Sequence, residues 1–159
     1  MTKVMYPGSF DPLHLGHLHI VEIAADIFDE VVVVTMQNPE KKGFLSLEER
    51  EELLKASFSN FSNVSTSSAS GLVVDAAQNL GITTIVKGLR SSGDFEVEMQ
   101  MAQTNKSVSG VETVFIPAEP SFSHISSRFI REISAMGGDV SALVPESVAG
   151  LLSRRVSNE

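Results

Sequence analysis

The chain has 159 residues, 42% of them apolar and 20% charged, which is enough for one soluble globular domain with a real core. Its 12 basic and 20 acidic side chains leave a net charge of -8, which argues against general binding to nucleic acid or anionic membranes. Cysteine is absent, which excludes disulfides, thiolate metal sites and cysteine nucleophiles.

The N-terminus carries no secretory pattern and no run of about 18 apolar residues occurs, so a cytoplasmic location is expected. Lys3 to Tyr6 reads as a short buried strand that feeds the loop YPGSFDPLHLGH, Tyr6 to His17. Gly8 brings the backbone close to a ligand, and Pro7 and Pro12 stiffen the loop. Gly16 stands at a helix start, where free N–H groups attract an anion. His14 and His17, three residues apart, share one side of that first turn. The helix runs from Gly16 to Phe28, and the β-branched run Val31 to Thr35 suits a strand covered on both faces.

A polar loop from Gln37 to Gly43 follows, with Pro39 and the pair Lys41-Lys42. Ser46 to Glu49 is an S-x-x-E capping box opening a helix to about Phe58, with Leu47, Leu53, Leu54 and Phe58 inward and Glu48 to Glu52 mostly solvated. Asn60 to Ser70 is rich in Ser and Asn, with at most a weak strand from Val64. Leu72 to Leu80 is a helix stopped by Gly81, and Ile82 to Val86 is a strand running into Lys87-Gly88-Leu89-Arg90. Asp94 to Ser107 reads as helix with Phe95, Met99 and Met101 for packing; Val111 to Ile116 is a strand closed by Pro117. Ser126 to Met136 is helical, Gly137-Gly138 ends it, and Pro145 opens a last helix to about Val156, with a polar tail after Arg155.

Strands alternate with helices, which predicts one α/β domain over residues 1–159, doubly wound and Rossmann-like, with a parallel sheet. Ligands of such folds sit beyond the carboxyl ends of the strands, at a switch in strand order. The loops after Met5, Met36, Val86 and Ile116 should share that edge and bring together Ser9, His14, His17, Lys41, Lys42, Lys87, Arg90, Ser123, Ser126 and Ser127. Cations, imidazoles and hydroxyls of this kind handle phosphate. Neither a P-loop nor a G-x-G-x-x-G motif occurs, and no H-E-x-x-H or EF-hand loop announces a protein-held metal.

GSFDPLHLGH resembles the G-x-F-D-P-x-[HT]-x-G-H signature of the nucleotidyltransferase superfamily related to class I aminoacyl-tRNA synthetases. ISSRFIRE, Ile125 to Glu132, resembles its second signature, I-S-S-x-x-[IV]-[RK]-E. KGLRSSGDFEVEMQMAQTN, Lys87 to Asn105, is similar to a block of the bacterial phosphopantetheine adenylyltransferases, and NPEKKGFLSLEER and GDVSALVPE match in place. The resemblance covers nearly the whole chain.

It implies transfer of AMP from ATP to 4′-phosphopantetheine, giving dephospho-coenzyme A and pyrophosphate, with Mg2+ carried by the ATP phosphates. The family's catalytic positions fall on His17, Lys41 and Arg90. Its ATP-side positions fall on Ser9, Phe10, His17, Gly88, Leu89, Arg90, Glu98 and the run Phe122, Ser123, His124, Ile125, Ser126, Ser127 and Arg128. Its acceptor-side positions fall on Ser9, Lys41, Val73 and Lys87. It also implies a homohexamer built as a dimer of trimers, with coenzyme A as a feedback ligand.

This chain departs from the family pattern at His14, where Thr is frequent, at Lys87, where Arg is frequent, and at Arg128, where Ser is common. His14 either supports the loop or touches ATP, Arg90 either binds ligand or pairs with Asp94, and His19 carries no case beyond surface or packing. The rival readings are adenylation of nicotinamide mononucleotide, cytidylylation of a polyol phosphate, and a nucleotide-binding regulatory module without activity.

Overall fold

The computed structural model describes residues 1–157. Five strands and six helices alternate: β1 (Lys3–Gly8), α1 (Leu15–Ile27), β2 (Glu30–Gln37), α2 (Leu47–Phe58), β3 (Val64–Ser70), α3 (Val73–Asn79), β4 (Thr84–Leu89), α4 (Ser92–Ser109), β5 (Glu112–Pro117), α5 (Ser127–Ala135) and α6 (Glu146–Ser157). The strands form one parallel sheet in the order β3-β2-β1-β4-β5. This is the doubly wound α/β arrangement the alternation predicts, and its order reverses between β1 and β4.

Both faces of the central strands are covered, which is why β2 reads as an unbroken apolar run rather than an alternating one. Val4, Tyr6, Val31 and Val33 face a core with α1, α2, α5 and α6. Met5, Val32, Val34 and Ile85 face a smaller core with α3. Six positions of β1 pair with β2, from Lys3↔Glu30 to Gly8↔Thr35. On its other side β1 registers with β4 at Met5↔Ile85. Past that point the two strands part, and a crevice opens at their carboxyl ends.

The Ser-rich stretch is a full strand, because β3 pairs with β2 along its length, from Val64↔Val31 to Ser70↔Gln37. Two expectations of burial need correction. Arg50 on α2 is 7% exposed rather than solvated, and α4 buries none of its residues in the single chain, leaving Phe95 and Met101 at the surface. The tail after Arg155 is helical to Ser157; its last two positions, 158–159, lie outside the described residues. No helix among the described residues is long and apolar enough to cross a membrane.

Candidate active site

The loop after β1 turns sharply at Phe10, whose φ of 47 lies in the left-handed region that side chains rarely adopt. The ring is buried, edge-on to Tyr6 at 5.7 Å and to His17 at 5.0 Å between centroids. A Cβ on Gly8 would come within 2.9 Å of that ring, so glycine here makes room for Phe10 as well as for a ligand. Asp11 ties the loop across to residues 44–45: its carboxylate accepts from the Phe44 and Leu45 amides, both at 2.8 Å.

His14 is the N-cap of α1. Its Nδ1 accepts from the Gly16 amide at 3.0 Å and the His17 amide at 3.4 Å, and His17 Nδ1 accepts from the His14 amide at 3.2 Å. The two histidines thus form a reciprocal capping box, and their rings stack at 3.6 Å. Burial, followed by the positive charge of Arg90, pushes the His14 imidazole down to about 4. His17 is held well below its ordinary value by burial, then by His14, Arg90 and Lys87. Both rings are therefore neutral at pH 7. With Nδ1 accepting a backbone N–H, the proton of each ring sits on Nε2. His17 so offers an N–H donor to whatever occupies the cavity it lines.

That cavity, about 440 Å3, lies over the crevice between β1 and β4 and is lined by Ser9, Phe10, His14, His17, Lys87, Gly88, Arg90, Glu98, Phe122, Ser126, Ser127, Arg128 and Arg131 among others. Arg90 is fixed at its wall by the Ile125 carbonyl at 3.2 Å and by Asp94 at 3.3 Å. The Asp94 pairing does not remove Arg90 from the cavity. Lys87 pairs with Glu98 at 3.4 Å, and this pair borders a second cavity of about 360 Å3. The walls of that second space are largely apolar, from Met36, Leu72, Val73, Ile85, Met101 and Ala102. A third cavity, about 650 Å3, carries Lys41, Lys42, Arg50 and Arg131. Ser9 lines all three.

Most of the residues singled out from the sequence thus meet around Ser9, with Val73 on the apolar side and Lys41 on the cationic side. Leu89, Ser123, His124 and Ile125 do not line these spaces: Ile125 is core, His124 faces solvent, and the Ser123 hydroxyl donates to the Pro120 carbonyl at 3.0 Å. Ser126 caps α5 by accepting from the Phe129 amide, and Ser127 donates to the Pro12 carbonyl at 2.8 Å. Arg128 pairs with Glu132 at 3.2 Å and is largely exposed.

Two cations carry no assigned role in the sequence, Arg131 standing there only as the [RK] position of the ISSRFIRE signature. Arg50 donates from Nη1 to the Ser9 carbonyl at 2.9 Å, and Arg131 donates from Nη1 to the Asp11 carbonyl at 2.8 Å. Arg131 borders both the first and third cavities. Its spacing gave a usable signal, since it stands four residues after Ser127 on the same helical face. Arg50 gave none, being one more charge in a charged run.

A parallel Rossmann-like sheet with a histidine-capped helix and cations gathered at its switch point is the architecture of the nucleotidyltransferase superfamily, and the family match bears this out. Residues 5–133 match the cytidylyltransferase-like family, and the chain belongs to it. Among solved structures, a Vibrio parahaemolyticus protein provisionally described as a nicotinate-nucleotide adenylyltransferase aligns over 96% of this chain and 99% of that chain. Its TM-score is 0.69 at 23% sequence identity, a likeness of fold.

Proposed function

We propose that this nucleotidyltransferase is a phosphopantetheine adenylyltransferase, moving AMP from ATP to 4′-phosphopantetheine and releasing pyrophosphate. The observation that carries the reading is the joining of two unlike cavities at Ser9, Lys87 and Glu98. One carries His17, Lys87, Arg90 and Arg131, the donors and cations that a nucleotide triphosphate requires. The other is walled mostly by aliphatic and thioether side chains, which suits the extended arm of pantetheine better than a second nucleotide ring.

The acceptor phosphate is an anion at neutral pH, so it needs no general base. One of its oxygens attacks the α-phosphorus of ATP, the bond to the β-phosphate oxygen breaks, and the electron pair leaves with pyrophosphate. His17 donates from Nε2 to the oxygens where charge gathers, and remains neutral throughout. Lys41 and Arg90 neutralise charge on the phosphates, while Lys87 and Val73 face the acceptor. Positioning and electrostatics are the catalytic work of such a transfer.

Mg2+ enters as the companion of ATP. The carboxylates lining the nucleotide cavity, Asp94 and Glu98, are each paired with a cation, which fits a metal held by substrate phosphates rather than by a protein cage. Its chemistry would be charge neutralisation on those phosphates. Coenzyme A, sharing the pantetheine arm, would compete for the same joined cavities. Self-association through α4 and β5 would cover Phe95, Val97, Val108 and Val114, which the single chain leaves exposed, and fits the expected hexamer.

Pyrophosphate release from ATP and Mg2+ tests the reading, with 4′-phosphopantetheine, nicotinate mononucleotide or buffer as acceptor. Release with phosphopantetheine alone, together with dephospho-coenzyme A, is the expected result. Release with the nicotinate nucleotide alone would keep the transfer chemistry and overturn the acceptor. ATP binding without release in every arm would leave a binding module.

A further inference from the structure

Lys41 lies in a loop tied down at both ends. At the start, the Lys41 amide donates to the Asn38 carbonyl at 3.1 Å and the Glu40 amide to the Asn38 side chain at 3.0 Å. At the end, Phe44 and Leu45 donate to Asp11, and Leu45 is buried. The Phe44 carbonyl is taken by a residue far away in sequence. Arg155, near the end of α6, donates from Nη1 to it at 2.9 Å and lies over the Phe44 ring at 5.6 Å.

The same guanidinium donates from Nη2 to both carboxylate oxygens of Glu49, at 2.8 and 2.6 Å. Glu49 in turn accepts from the Ser46 amide at 2.8 Å, completing the α2 capping box. One side chain from the C-terminal helix therefore binds the head of α2 and the foot of the Lys41 loop together. We propose that Arg155 is a positioning residue which, with Glu49, holds that loop so that Lys41 meets the reacting phosphates. The proposal rests on Lys41 serving the transfer reaction.

Stability alone does not account for the arrangement. Arg155 and Glu49 are 40% and 28% exposed at their side chains, and a partly exposed pair adds little to folding. Its geometric effect is larger, because Phe44 is three residues from Lys41 and the intervening Lys42 and Gly43 are exposed. A lysine at position 155 keeps one donor but loses the fork that reaches the carbonyl and the carboxylate at once.

The test compares Arg155→Ala, Arg155→Lys, Glu49→Gln, Lys41→Ala and the Lys41→Ala/Arg155→Ala double variant in the full chain. The acceptor is whichever phosphate compound the wild type turns over, so an error in acceptor identity shows up separately. Arg155→Ala is expected to lower kcat/KM roughly ten- to hundredfold, the loss a displaced reacting group brings. Lysine should restore part of this, the melting temperature should stay close to wild type, and the double variant should be no slower than Lys41→Ala. Amide hydrogen exchange over residues 38–45, read with no acceptor at all, should quicken in Arg155→Ala. Glu49→Gln, which retains the side chain's shape, should move both readouts the same way if Arg155→Ala folds poorly. Losses that multiply in the double variant, or unchanged exchange in the loop, would overturn the proposal.

Discussion

Replacing His17 by Ala removes the N–H donor that the proposed mechanism places against the transferring phosphate, and a few local contacts. The fold loses the acceptor of the His14 amide, a contact of about 1 kcal/mol, the stack on the His14 ring and an edge contact with the Phe10 ring. Those losses are small against the roughly 5–15 kcal/mol that holds a domain together. His14 still caps α1 through the Gly16 amide, so the helix start survives. The catalytic loss is of another size. A single preorganised donor to a developing oxyanion contributes about 2.7–4 kcal/mol, which is roughly a hundred- to a thousandfold in kcat. ATP affinity should change little, since Arg90, Gly88 and Ser126 still line the nucleotide cavity. The assay pairs pyrophosphate release with calorimetric ATP titration and a thermal melt. Turnover near wild type, in a variant that melts and binds ATP normally, would refute the role assigned to His17.

Acid should weaken the fold through His14. Its folded value is pushed down to about 4 while the unfolded ring takes its proton near 6.5, so between these values the unfolded chain binds more protons. Stability is then complete above pH 6.5 and falls by about 3 kcal/mol as pH drops to 4. Urea unfolding across that window should show the decline, and His14→Asn, which retains a capping side chain, should show a shallower one; equal slopes would exclude His14 as the source. Arg50→Ala should cost roughly 2 kcal/mol in urea unfolding, the loss of charged donor bonds to the Ser9 and Ser46 carbonyls. It should also weaken binding of both substrates because Ser9 borders all three cavities of the candidate site, and unaltered affinity for both would contradict that link.

Local rules make much of this fold legible in the sequence. Ser46 and Glu49 announce the head of α2 by spacing alone, and the structure closes that capping box. Gly16 and the paired histidines mark the start of α1, because helix periodicity and cap chemistry act within a few residues. Features set by distant partners stayed hidden. Arg50 reads as surface until the Ser9 carbonyl, 41 positions away, takes its guanidinium. Arg155 looks like the edge of a polar tail until Glu49, 106 positions away, receives it. The strand β3 lacks an apolar signature because it borders the sheet and is only partly buried, so pairing with β2 rather than composition decides its state.

The apolar cavity has a further consequence for how such an enzyme changes. Its walls include Leu72 and Val73 at the head of α3 and Met101, Ala102 and Asn105 on α4, whereas His17 and Arg90 stand on other segments. Helix α4 buries nothing in the single chain, so its cavity-facing side chains carry no duty to the core. Substitutions at Met101, Ala102 and Asn105 can reshape the proposed acceptor cavity without touching His17 or Arg90. Under the proposed assignment selectivity and reactivity are separable only in part: Met101, Ala102 and Asn105 are open to revision, whereas Asp94 and Glu98 on the same helix hold Arg90 and Lys87 and tie the two traits together.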